Sequence, residues 1–160
     1  MTISTQSGKL LIIMSEIIQQ SNIKILPVIP IRDGVVFPNT EIVLIFGRPK
    51  SLSAIEASYS SDRLVILSIQ KTPRLQDPSP SDLYTIGTLA RIERLLKTDG
   101  EINALVKGIS RVEIINFMAI EPYFQAKMIE ILDELEVSDE ITALINHITN
   151  ELKKAVNLGK

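Results

Sequence analysis

The sequence predicts an α+β fold built mainly from β-strands, with one internal helix and an amphipathic helix at its end. From residue 23 onward, short runs of Ile, Val and Leu are punctuated by Pro and Gly, a texture typical of strands and turns. Apolar residues follow helical spacing after Pro49 and again after Val137. We therefore divide the chain into an N-terminal arm at 1–22, a β domain at 23–134 and the start of a helical subdomain at 135–160.

Three strands are predicted in the first half of the chain. The segment Lys24 to Ile31 contains Pro27 and Pro30, and proline cannot donate a hydrogen bond to a sheet. We therefore expect this segment to pair only as an edge strand or a broken strand. The apolar runs Glu41 to Phe46 and Leu64 to Ile69 each predict a short buried strand.

The internal helix is predicted to start at Pro49. Proline suits the first helical turn because the N–H that it lacks would have no partner there. Leu52, Ile55 and Tyr59 follow at helical spacing, and we expect this stripe to face the core.

The second half of the β domain is organised around one long loop and one hairpin. Residues 71–82 contain three prolines and predict an exposed loop. Asp99-Gly100 between two apolar runs is a strong hairpin signal, and Gly108 is expected to sharpen a bend between two later strands. The strands predicted here are Tyr84 to Lys97, Glu101 to Lys107, Arg111 to Phe117 and Tyr123 to Leu132, which brings the total to six or seven.

Two apolar surfaces outside the β domain favour self-association. In the last helix, Ile141, Ile145 and Ile148 belong to an apolar stripe that is wide enough to need a partner surface. A shorter apolar patch lies within residues 10–18. We expect weak dimerisation of this chain through one of these surfaces.

Composition and charge exclude several classes of partner. A hydrophobic content of 45% with 22% charged residues is typical of a folded globular protein. The formal net charge of -2, without a basic cluster, offers no attraction for nucleic acid or an anionic membrane. The chain has no cysteine, and the apolar stretch at 10–14 is too short to span a bilayer or to serve as a secretory signal. We therefore expect a cytoplasmic protein with no nucleic-acid partner and no membrane partner.

No group of residues predicts catalysis or a cofactor. A nucleophile needs an oriented base, but His147, the only histidine, lies beside the apolar stripe of the last helix, where we expect it to be solvated. The acidic residues between 133 and 140 are explained by their favourable interaction with a helix start. Neither a phosphate-binding loop nor a calcium-binding loop has the required spacing. The sequence therefore predicts a protein that is not an enzyme and holds no metal or cofactor.

Several short blocks, in fixed order, resemble the N-terminal domain of ATP-dependent Lon proteases. A single Pro-x-x-Pro would mean little, but five blocks at compatible spacings are specific. The similarity covers roughly residues 24–133. The blocks are Leu26 to Asp33 with Val35 to Pro38, Gly47 to Ala57, Asp82 to Ile92, the hairpin glycine Gly100, and Val106 to Val112.

This resemblance implies both a fold and a role. The fold would be a PUA-like pseudo-barrel of β-strands wrapped round a helix. Lon N-terminal domains help to select unfolded or degron-bearing proteins and pass them to a hexameric ATPase and protease. The chain has no Walker motif and no Ser/Lys proteolytic dyad, so we expect a non-catalytic, substrate-recognising fragment whose parent protein is the hexamer.

A surface that binds unfolded chains should expose more apolar groups than an ordinary protein surface does. Val35, Val36, Phe37 and Pro38 lie in a turn-rich stretch, and Leu75 lies at the tip of the proline-rich loop. These five residues are the predicted substrate-binding residues.

The alternative is a free-standing domain of the same kind whose concave face binds a small ligand or nucleic acid. The near-neutral charge disfavours nucleic acid, and no convergent cluster of polar residues supports a small ligand. A reading frame that continues into a Walker motif would favour the fragment of a protease.

Overall fold

The computed structural model describes residues 8–16, 23–132 and 139–158, apart from the side chains of Asp139 and Ile141. These residues form the predicted α+β fold, with six strands. Over the described residues, no helix combines the length and the apolar character that a membrane span requires. The elements are α1 (residues 8–16), β1 (Ile23–Ile31), β2 (Glu41–Phe46), α2 (Pro49–Tyr59), β3 (Leu64–Ile69), β4 (Ile86–Thr98), β5 (Glu101–Ala119), β6 (Phe124–Ile131) and α3 (Asp139–Leu158).

The six strands form one mixed sheet that closes on itself. Their order is β2-β5-β4-β3-β1-β6. Strand β6 pairs with β1 and also with the second half of β5, and this additional pairing closes the ring. Strand β5 can serve three neighbours because it is 19 residues long and pairs with β2 through its first half and with β6 through its second. Strand β2 therefore stands outside the closed ring as an edge strand.

Helix α2 packs on this sheet through the predicted stripe. Ile55 is fully buried in the main core cluster, and Leu52 and Tyr59 pack against the cluster while remaining partly exposed. Pro49 occupies the first helical turn, as expected from its missing N–H. The helix contacts β1 and β3, which are the two parallel strands of the sheet.

Strand β1 differs from the expectation of an edge or broken strand, because it is continuous and lies between two neighbours. It pairs with β6 from Ile23 to Val28 and with β3 from Val28 to Ile31. Each half therefore has one open edge. A proline is tolerated where its nitrogen faces such an edge, which explains how Pro27 and Pro30 fit within a single strand.

Strand β2 is not the buried strand that its apolar sequence predicted. Ile42, Val43 and Ile45 are all exposed, and only Phe46 is buried. The reason is topological, because an edge strand outside the ring has a neighbour on one side only. By contrast, β3 is buried along most of its length, as predicted.

The predicted hairpin is present, but the bend expected at Gly108 is not a break between strands. Thr98 pairs with Glu101 across Asp99-Gly100, and Gly100 has a φ of 78°. Strand β5 then continues through Gly108 as one element. Ala90 pairs with Gly108 and Leu89 pairs with Ser110, so a β-bulge replaces the predicted interruption.

Helix α3 exposes its apolar stripe. Ile145 and Ile148 are exposed, and so are Leu144, Leu152 and Val156 on the same helix. The side chain of Ile141 lies outside the described residues. His147 is exposed, as the sequence predicted.

Candidate functional site

An apolar groove opens where the chain passes from β1 to β2. Its volume is about 220 Å³. The residues that form it come from this connection and from four strands: the end of β1, the second half of β3, the start of β4 and the middle of β5. They include Val35, Phe37, Pro38, Ile69, Ile86 and Arg111.

The connection is fixed in place by Val36. This side chain is only 3% exposed and belongs to the main core cluster. Its carbonyl oxygen accepts a hydrogen bond of 2.7 Å from the hydroxyl of Thr88, which is itself buried on β4. A buried hydrogen bond of this kind opposes displacement of the segment, because its loss would leave a buried polar group without a partner.

A second anchor lies one residue later, where the backbone crosses β5 at Gly108. A Cβ atom built on Gly108 would overlap the carbonyl oxygen of Phe37, so only glycine allows this approach. The crossing is held by hydrogen bonds of 2.9 Å from Asn39 N to Gly108 O and from Gly108 N to Thr40 O. The hydroxyl of Thr40 also donates to the Phe37 carbonyl at 2.7 Å.

These anchors turn the neighbouring side chains outward. Val35 is 49% exposed and Phe37 is 62% exposed, and they lie on either side of the buried Val36. Pro38 is half-buried. The result is a pair of apolar side chains presented by a rigid backbone, at the mouth of the groove.

The five predicted substrate-binding residues thus fall into three groups. Val35, Phe37 and Pro38 line the groove from the surface, whereas Val36, which also borders the groove, is a core residue that is almost fully buried. Leu75 does not line this groove. It is half-buried in the proline-rich loop, where its carbonyl oxygen accepts a 3.0 Å hydrogen bond from the buried amide of Gln70.

Sequence reasoning missed the opposite wall of the groove. Ile69, Ile86 and Arg111 come from three strands that only the sheet topology brings together. The exposed Ile86 is the first residue of β4 and follows the proline-rich loop. Nothing in the sequence around it indicates that it would line a groove.

The chemistry of the groove suits apolar side chains and nothing reactive. Arg111 is the only ionisable residue among those that line it. A catalytic site needs at least a nucleophile with a base, or an acid with a base, and the lining contains neither pair. What the groove offers is apolar surface, and Phe37 contributes its largest exposed apolar side chain.

Comparisons with known proteins point to one family. Residues 25–160 match the family described as the ATP-dependent protease La (LON) substrate-binding domain. The chain is 38% identical to a Lon protease of Dictyoglomus thermophilum over 136 residues, which is 84% of this chain and 17% of that protein. It is also 38% identical to a Lon protease of Halothermothrix orenii over 138 residues, again 84% of this chain and 18% of that protein.

A solved structure has the same fold. The N-terminal domain of the Mycobacterium avium complex Lon protease superposes with a TM-score of 0.56 and 23% identity, over 84% of this chain and 72% of that one. This likeness supports the fold. The chain spans less than a fifth of the length of these two curated relatives.

Proposed function

Because this chain belongs to the family of Lon substrate-binding domains, we propose that it binds unfolded or degron-bearing polypeptides. In this proposal a longer Lon-type protein contains the domain and passes the bound polypeptide to ATPase and protease modules in a hexamer. The chain itself performs no catalysis. The β domain at 23–134 does the binding, and the segments at 1–22 and 135–160 are an arm and the start of a helical subdomain.

The observation that carries the proposal is the pair of exposed apolar side chains at the mouth of an apolar groove. Folded proteins bury their large apolar side chains, whereas unfolded ones expose them. A site that offers Val35 and Phe37, with little charge around them, therefore discriminates by folding state rather than by sequence. The rigid backbone at Val36 and Gly108 supports such binding because less conformational freedom is lost on association.

Binding at a single groove should be weak. Small apolar contacts must offset the cost of ordering a flexible partner, which places the dissociation constant on the order of micromolar to millimolar. A hexamer would present several grooves at once and so raise the overall affinity without any new contact. Weak binding by one copy is compatible with efficient capture by an assembly.

Two further parts of the proposal concern assembly and location. The exposed stripe of α3, which includes Ile145 and Ile148, supports weak dimerisation of this chain through that helix. We place the protein in the cytoplasm, because a chain without cysteine has no need of an oxidising compartment.

The test is the affinity for a chemically unfolded protein, measured by fluorescence anisotropy, with Phe37→Ser beside the parent chain. Burial of a Phe side chain is worth about 1.5–3 kcal/mol, so the variant should bind roughly tenfold more weakly or worse. Ile115→Ser is the matched control, since Ile115 is exposed but does not line the groove. Equal losses in both variants, or no loss in either, would contradict the proposal.

A further inference from the structure

A second cleft lies between two strand edges that face each other. The free edge of β2 forms one wall through Leu44, Ile45 and Phe46, and the end of β1 forms the other through Pro30 and Ile31. The start of α2 closes one end. The cleft has a volume of about 430 Å³, within the range of roughly 300–1,000 Å³ that ligand sites occupy.

The backbone of β2 has unused hydrogen-bonding groups on the side of this cleft. Gly108 N donates to Thr40 O at 2.9 Å, and β2 then continues in register with β5. In an antiparallel pair, successive residues turn their N–H and C=O groups to alternate sides. The groups of Val43 and Ile45 therefore point to the free edge, where no hydrogen bond is formed within the described part of the chain.

The edge of β2 also lacks the usual protection against strand addition. Proteins block an exposed edge with Pro, with charged side chains (especially Lys) or with a bulge. Glu41 at the start of β2 is its only charged residue, and Ile42 to Phe46 contain none of these features. Ile45 is 64% exposed and lies in one cross-strand row with Asn103 and the exposed Leu96. An added strand could form backbone hydrogen bonds with β2 and contact the apolar side chain of Ile45.

In the opposite wall, the carbonyl oxygen of Pro30 already has a hydrogen-bond partner, so this wall does not compete for the added strand. The guanidinium of Arg48 donates to the carbonyl oxygen of Pro30 at 2.8 Å and to Gln70 Oε1 at 2.6 Å. Partial burial, followed by the nearby charge of Arg32, lowers the pKa of Arg48 from its ordinary value. The open edge of β1 is thus covered by a side chain, whereas the edge of β2 is bare.

The charges around the cleft are balanced. Arg32 and Arg48 line it together with Asp33 and Glu101. An uncharged apolar segment fits this surface better than a strongly acidic or basic one, because neither sign is favoured.

We propose that this cleft binds an extended, uncharged apolar segment of an unfolded polypeptide, which adds to β2 as an extra strand. The inference rests on the proposed function and names a second, backbone-directed mode of contact for the same class of partner. A second copy of this chain fits less well, because its β2 carries β5 beside it and would meet the wall at Pro30. A single unpaired strand has no such neighbour.

The direct test is amide hydrogen exchange of the full chain with a short peptide of alternating Val and Thr. Strand addition should slow the exchange of the Val43 and Ile45 amides while leaving the amides of Ile42 and Leu44, which face β5, unchanged. The same peptide with two central prolines should have no effect, because it cannot complete a ladder. Unchanged exchange at Val43 and Ile45 under saturating peptide would overturn the inference.

A pair of variants separates the contribution of the backbone hydrogen bond to peptide binding from that of the side chain. Ile45→Pro removes the free-edge N–H, and Ile45→Thr keeps it although threonine removes more apolar surface than proline does, so any weaker binding by Ile45→Pro reflects the backbone. We expect Ile45→Pro to bind the peptide roughly tenfold more weakly than Ile45→Thr, since a ladder hydrogen bond is lost and a ring is added at the edge. Equal affinities would overturn the inference.

Failure of this inference can be distinguished from failure of the proposed function. If unfolded protein binds and Phe37→Ser weakens that binding, while the exchange at Ile45 stays unchanged, only the inference fails. If no unfolded protein binds at all, the proposed function fails. If the parent chain sediments as a dimer that Ile45→Pro dissociates, β2 pairs with a second copy, and that result would also overturn the inference.

Discussion

The carbonyl oxygen of Phe37 lies so close to Gly108 that no Cβ atom can be accommodated at residue 108. This approach lets the connection between β1 and β2 cross β5 within hydrogen-bonding distance. The position of the exposed Phe37 side chain therefore depends on a glycine that is distant in sequence and has no side chain of its own.

Gly108→Ala should destabilise the chain and displace the groove. A methyl group would have to push the Phe37 backbone away, and overpacking of this kind costs about 1–3 kcal/mol. Chemical denaturation measures the loss. Gly47→Ala is the matched control, because its Cβ would make ordinary contacts with the flexible side chain of Glu101 at 3.6 Å. Equal stability of the two variants would contradict this account of the crossing.

Thr88→Val should weaken the other anchor of the groove. The substitution keeps the shape of the side chain but removes the hydroxyl that donates to the Val36 carbonyl. A buried carbonyl left without its donor costs about 1–3 kcal/mol, and the amides of Val35 and Phe37 should exchange faster. Thr98→Val, at an exposed site with only a 3.4 Å hydrogen bond to Glu101 O, should change stability by less than about 0.5 kcal/mol. A loss at Thr98 as large as that at Thr88 would refute the anchoring role.

The elements with a local signal were predictable from the sequence. Helix α2 and the Asp99-Gly100 hairpin depend on helical spacing and on turn-forming residues close in sequence. Strand β3 was predicted equally well, because a central strand of a mixed sheet is apolar on both faces. The resemblance to Lon N-terminal domains supplied the family and the closed arrangement of strands.

What could not be predicted depends on the order of the strands. The apolar sequence of β2 predicts a buried strand, yet the position of β2 outside the closed ring exposes Ile42, Val43 and Ile45. The same limit applies to Val36 and Phe37, which are adjacent and equally apolar in sequence. Only the crossing over β5 decides which of the two enters the core.

Replacement of Ile141, Ile145 and Ile148 by Gln should abolish any dimer that forms through α3. Ile145 and Ile148 are exposed on the helix, so their loss removes contact surface without creating a core cavity. Sedimentation velocity over a range of concentrations measures the association. A parent chain that stays monomeric at high concentration, with an unchanged triple variant, would contradict the role of this stripe.

The pure chain should neither hydrolyse ATP nor cleave protein. It contains no phosphate-binding loop, and the described residues hold no group of side chains suited to a metal ion. Phosphate release and casein digestion are the measurements, with a mock purification as the control. Turnover above the mock level would show that catalytic residues have been overlooked.

The measurement that tests the central claim most directly is an NMR titration of this chain with one protein in its unfolded and in its folded state. We expect shifts of the Val35 and Phe37 amides and of the Ile86 methyl groups, seen only with the unfolded partner. Weak affinity should place the exchange in the fast regime, so that peaks move continuously. Equal responses to both states, or shifts confined to residues far from the groove, would contradict the claim.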